Sequence, residues 1–107
     1  MKIPESIRIG GVEYEVLENQ HFLNDGQNLL LGEINYHDSI IKLSDMTQGH
    51  QMKCITLLHE ILHGIRYHAG LKIEDEESVV DMFARGIYQV LQDNDARLFD
   101  LIKGVMK

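Results

Sequence analysis

Three ionisable side chains lie within about one turn of a largely apolar helical run, and they constrain the fold more than any other feature of this chain. From Met52 to Tyr67 the sequence reads as one helix, with Ile55, Leu58, Leu62 and Ile65 at helical spacing and predicted to face the core. His59, Glu60 and His63 interrupt it as H-E-x-x-H. A helix turns once per 3.6 residues, so His59 and His63 share one face a turn apart, and Glu60 stands about 100° round from His59. The apolar flanks (Ile55, Leu57, Leu58, Ile61, Leu62) predict burial, and a buried pair of imidazoles needs partners. Two imidazoles on one face can hold a metal ion, with the Glu60 carboxylate beside the ion's open position. These are the requirements of a hydrolytic zinc site in which Glu60 is general base for a metal-bound water.

Such a site takes three protein ligands and leaves one position open. Glu77 is the expected third. It begins Glu77-Ser78-Val79-Val80-Asp81, an E-x-x-x-D whose two acids share a helical face. The connection from His63 is long enough for a helix end, a turn and an antiparallel return. Asp81, one turn on, is placed to accept the second N–H of a ligand histidine, as an outer-shell partner does. Glu74, Asp75 and Glu76 remain open as ligands if the turn is drawn differently. His68, five residues beyond His63, points about 140° away. The lone cysteine, Cys54, is at the wrong offset from His59 and reads as a small buried hydrophobe. A closed structural site would prefer four ligands, usually with Cys. The expected cofactor is therefore one Zn²⁺ per chain, although Mn²⁺, Co²⁺ and Ni²⁺ accept the same ligand set.

The remainder of the chain reads as strands followed by helices. Ser6 to Ile9 and Val12 to Val16 alternate around Gly10-Gly11, a hairpin signal. Residues 24–28 form a loop, and Leu29 to Tyr36 and Ile40 to Leu43 are two further strands. Ser44, Asp45 or Thr47 is expected to cap the first helix, and Gly70 to end it. A second helix opens at Glu74-Asp75-Glu76-Glu77, carries Val79, Val80, Phe83, Ile87, Val90 and Leu91, and breaks at Asp93-Asn94-Asp95. Asp95 caps a short last helix, Ala96 to Met106. This order predicts one α+β domain over residues 1–107: a small twisted, antiparallel-rich β-sheet, an active-site helix, a backing helix and a short C-terminal helix. The net charge of −7, without a Lys/Arg cluster, argues against nucleic acid and anionic membranes as partners. Without an apolar leader or an 18-residue apolar run, the sequence reads as a soluble cytoplasmic protein.

H-E-x-x-H followed by E-x-x-x-D on the next helix resembles the gluzincins, thermolysin-like zinc peptidases. The short spacing is similar to the ImmA/IrrE-type metallopeptidases and the minigluzincins. Gly32-Glu33-Ile34-Asn35-Tyr36, Thr56 to His63 and Gly86 to Leu91 look like the small phage and mobile-element members. The resemblance implies a zincin-like fold in a bacterial or phage-infected cell, with a specific intracellular protein or peptide as substrate. It implies that Gly32, Glu33, Ile34, Asn35 and Tyr36 form the edge strand on which substrate lies. It also implies His59, His63 and Glu77 as ligands, Glu60 as catalytic base and Asp81 behind a ligand. The chain departs from the larger gluzincins in having no second subdomain with an oxyanion-steadying Tyr or His. Tyr36, His37, Tyr67 and Tyr88 are the candidates for that role. That departure motivates the alternative of a zinc-binding regulatory or interaction module with little or no proteolysis.

Overall fold

The computed structural model describes residues 2–21, 31–46, 49–94 and 96–104, with backbone alone for Ala96 and Phe99. Its elements are β1 (Ser6–Ile9), β2 (Val12–Gln20), β3 (Gly32–Asn35), β4 (Ile40–Ser44), α1 (His50–Ala69), α2 (Glu76–Asn94) and α3 (Ala96–Lys103). The strands form a mixed sheet in the order β1-β2-β4-β3, so the fold is α+β and β3 lies at one edge. Gly10 and Gly11 turn the first hairpin with φ of 58° and 82°, the left-handed pair that a tight two-residue turn demands. β1/β2 and β3/β4 pair antiparallel, but β2 pairs parallel with β4, Val16 opposite Ile41. Alternating polarity cannot reveal this parallel pairing, because the side-chain period is two in either direction.

Element ends depart from the sequence reading for local reasons. β2 continues past Val16 to Gln20, where the register with β4 slips and Asn19 adopts φ 57°. Tyr36 lies beyond β3, in the turn that Asn35 stabilises by accepting from the Asp38 N–H at 2.8 Å. The expected loop at 24–28 and the strand start at Leu29 fall outside the described residues. α1 begins at His50 behind Gly49, with no side-chain cap. Ser44 ends β4 instead, and its hydroxyl accepts from the Met46 N–H. Asp45 precedes the helix by several residues, and Thr47 lies outside the described residues. Gly70, at φ 70°, ends α1 as expected, and its N–H and that of Leu71 reach the Tyr67 and Arg66 carbonyls. α2 opens at Glu76 rather than Glu74, since Asp75 is left-handed at φ 55°. α3 stops at Lys103, with Gly104 at φ 70°; the expected cap Asp95 and the extension to Met106 lie outside the described residues.

α1 is buried on two sides. Leu57 joins Ile9, Tyr14, Val16, Ile41 and Leu43 in a core against the sheet, with Ile34 and Ile61 at its margin. Cys54 and Ile55, flanked by Leu58 and Leu62, meet Ala84 and Tyr88 of α2. α2 thus turns the i, i+4, i+8 row Val80, Ala84, Tyr88 inward. That row leaves Phe83 and Val90 half-exposed. Ile65, expected in the core, is also half-exposed, because it faces an apolar groove beside the α1–α2 connection, shared with Phe83, Leu71 and Ile73. Tyr88 is buried among these core residues. Among the described residues no helix is long and apolar enough to cross a membrane.

Ile41 lies at the centre of the sheet, fully buried and opposite both Val16 and Ile34. Ile41→Ala is expected to lower unfolding free energy by about 2–5 kcal/mol, through lost burial and a residual cavity. Urea unfolding followed by circular dichroism measures this directly.

Candidate metal centre

α1 supplies His59 and His63 from one face, and the antiparallel return of α2 sets its first turns against them. His59 Nε2 and His63 Nε2 lie 3.1 Å apart, and Glu77 brings one carboxylate oxygen to 2.9 Å from the first and the other to 3.1 Å from the second. The three residues offer ligand atoms within 4.8 Å of one another, close enough to bind one metal ion. Tetrahedral zinc, with bonds near 2.0–2.2 Å, spaces its ligand atoms roughly 3.3 Å apart. The observed spacing fits such an ion.

The outward-facing ring nitrogens decide which atoms carry lone pairs. His63 Nδ1 lies 2.6 Å from Glu76 Oε2, and His59 Nδ1 lies 3.6 Å from Asp81 Oδ1. The Glu76 carboxylate at His63 Nδ1 favours the proton there and leaves the His63 Nε2 lone pair toward His59 and Glu77. Two imidazole nitrogens and a carboxylate oxygen brought this close are donors that a divalent cation accepts. The chemistry of the donor set therefore matches a divalent metal.

Glu60 lies outside this ligand trio but shares a cavity with His59 and Glu77. It is 6% exposed, beneath the edge of the sheet. The fit depends on Gly32: a Cβ there would fall 2.6 Å from Thr56 Cγ2 and 3.0 Å from Glu60 Oε2. Burial is the main reason that the Glu60 carboxyl is pushed up to about 7, with Glu77 and Glu33 adding to the rise and His63 opposing it. Glu76 shifts the other way, held below the usual carboxylate range first by its hydrogen bond from His63 and then by Arg66. A cavity of about 220 Å³ joins His59, Glu60 and Glu77 to Gly32, Asp81 and Arg85.

The other sequence candidates separate by geometry. Of the strand residues 32–36, Gly32 lines the cavity, Ile34 packs on Gly64 in the core, and Tyr36 stacks on Tyr67 with ring centroids 3.8 Å apart. The Tyr36 hydroxyl donates to the His63 carbonyl at 3.1 Å. Neither Tyr36, His37, Tyr67 nor Tyr88 lines the cavity. Asp81 is shared between His59 and the Arg85 guanidinium, whose Nε lies at 3.1 Å. Glu74 and Asp75 are exposed, and neither belongs to the ligand group. His68 pairs with the buried Tyr14 hydroxyl at 2.7 Å. Cys54 is a buried thiol whose pKa is raised by desolvation.

Sequence reasoning missed the outer partner of His63. Glu76 fills that place and also accepts from Arg66 Nε at 3.1 Å. Its signal was present: Arg66 lies three residues past His63 on the same helix, and Glu76 is adjacent to Glu77.

Comparison with protein-family models, curated proteins and solved structures gives no match.

A buried carboxyl whose folded pKa is raised loses stability as pH climbs through it. In metal-free protein, Glu60→Gln should equal wild type below about pH 4.5 and be more stable above pH 7, by at most about 3 kcal/mol. Urea unfolding at pH 4.5 and pH 8 measures the difference; equal stability of the two proteins at pH 8 would contradict the account of Glu60 burial.

Proposed function

We propose that this protein is a zinc-dependent metallopeptidase of the gluzincin type, similar to the small ImmA/IrrE-like members found in phages and mobile elements. The observation that carries the reading is the convergence of His59, His63 and Glu77 beside a cavity that contains the buried carboxylate of Glu60. His59, His63 and Glu77 would hold the ion. When bound, zinc lowers the pKa of water and polarises a carbonyl oxygen.

The remaining work falls to the chain itself. The Glu60 carboxylate, desolvated and adjacent to the ligand set, takes the proton from the attacking water and returns it to the leaving amine. Strand β3, at the edge of the sheet among the described residues, offers its outer side to an extended peptide, with Gly32 against the carboxylate. In this reading the α+β order of sheet, α1 and α2 would be a zincin-like architecture, and Asp81 would take the place behind His59. The substrate would be a specific protein or peptide, bound without nucleic acid or membrane.

One observation favours a second reading, a zinc-binding regulatory or interaction module with little proteolysis. No tyrosine or histidine beyond the ligand set lines the cavity to steady an oxyanion, among the described residues.

Elemental mass spectrometry and a peptide-library digest distinguish the readings. Wild type is expected to carry about one zinc per chain, and Glu77→Ala to lose or weaken it. Glu60→Gln should retain zinc and the fold while cleavage disappears. Zinc retained with no cleavage of any library peptide, and a protein partner bound equally by wild type and Glu60→Gln, would establish the second reading. Wild type that takes up no zinc on addition of the metal would overturn both.

A further inference from the structure

The two ligand histidines are backed unequally. His59 Nδ1 stands 3.6 Å from Asp81, beyond hydrogen-bonding distance, while His63 Nδ1 stands 2.6 Å from Glu76, a short charge-assisted contact. Glu76 is not free to wander. The same Oε2 accepts from Arg66 Nε at 3.1 Å, and Arg66 and Glu76 side chains are each about one-quarter exposed. Arg66 also donates from Nη1 to the Leu71 carbonyl at 3.3 Å, in the connection between the helices.

One guanidinium therefore ties three points together: the end of α1, the connection, and the first residue of α2. The next residue in α2 is Glu77. The connection enters α2 through Asp75, a non-glycine residue at φ 55° that needs such support from its surroundings. Removing the fork frees both the acceptor of His63 and the approach of Glu77.

From this geometry we infer that Arg66 is a positioning residue for the metal centre, acting through Glu76 on His63 and through the connection on Glu77. The inference rests on His59, His63 and Glu77 as the ligand trio, and it does not depend on peptidase activity. A lysine at 66 keeps the charge but cannot bond both Glu76 and Leu71 in a fixed plane. The Arg66 arm should consequently matter more than the Arg85–Asp81 arm behind His59.

The test uses the full chain with Zn²⁺ as probe, competed against a chromophoric chelator, and Co²⁺ absorption as a report of ligand geometry. Outer-shell partners contribute about 10–100-fold to metal affinity. Arg66→Ala and Glu76→Gln are each expected to weaken zinc within that range. The double variant should be little worse than either, since the two act as one unit. Arg66→Lys should recover only part of the loss, while Arg85→Ala and Asp81→Asn should weaken zinc less. Circular dichroism establishes that each variant folds; if Arg66→Ala does not, Arg66→Lys and Glu76→Gln decide the matter.

Nitrogen NMR of the imidazoles in metal-free protein gives a readout independent of zinc. His63 should be the Nδ1–H tautomer in wild type and lose that preference in Arg66→Ala and Glu76→Gln. Wild-type zinc affinity in Arg66→Ala, or an unchanged His63 tautomer there, overturns the inference. If wild type binds no metal at all, the metallopeptidase reading fails and the metal-centre role of Arg66 fails with it, whereas a zinc-binding wild type with unaltered affinity in Arg66→Ala overturns the role of Arg66 alone.

Discussion

The antiparallel packing of α2 on α1 is the interaction on which the rest depends. Ala84 and Tyr88 meet Cys54 and Ile55, and this apolar seam fixes how far α2 slides along α1. The slide determines which acids meet which imidazoles. With Ala84 in the seam, Glu76 and Glu77 reach His63 while Asp81 reaches His59. An i, i+4 ladder of acids on one helix matches an i, i+4 pair of histidines on the other, with the hydrophobic contact as the ruler. The polar ladder adds little stability of its own at its exposed members, because exposed ion pairs are screened and flexible. Its value lies in where it puts lone pairs.

The sheet contributes a second constraint, desolvation. α1 is covered by strands on the side opposite α2, and Glu60 falls on that covered side near its open margin. A carboxylate in this place loses hydration, and among the described residues no lysine or arginine bonds to it in exchange, so its proton affinity rises. The same helix thereby presents two imidazoles to one layer and a poised carboxyl to another, within a single turn. Burial on both sides also governs the polar residues it covers: Thr56, also buried, returns its hydroxyl to the Met52 carbonyl.

Much of this arrangement was legible in the residues. H-E-x-x-H on an apolar helix foretold one shared face, and E-x-x-x-D foretold the returning acid, because helical periodicity fixes both. Gly10-Gly11 and Gly70 marked their turns through the left-handed backbone that only glycine adopts cheaply. The parallel partnership of β2 with β4 was not legible, since pairing direction leaves no trace in alternation. Ile65, Phe83 and Val90 have the apolar spacing of core residues, yet the seam between α1 and α2 is too narrow to cover them. Glu76 was visible only as one acid among four at a helix start. What distinguishes it is the left-handed turn at Asp75, a tertiary outcome that moves the helix start to the very residue that meets His63.

The glycine at the start of the edge strand has a consequence for mutational tolerance. Edge strands ordinarily absorb substitution well, because one flank faces solvent and packing there is loose. Position 32 is an exception: a single added methyl group would collide with Thr56 and press on the buried Glu60 carboxylate. A change that looks trivial in a strand at the rim of the molecule is thus transmitted straight to the most desolvated acid of the helix beneath it. The tolerance of this surface position is set by the interior.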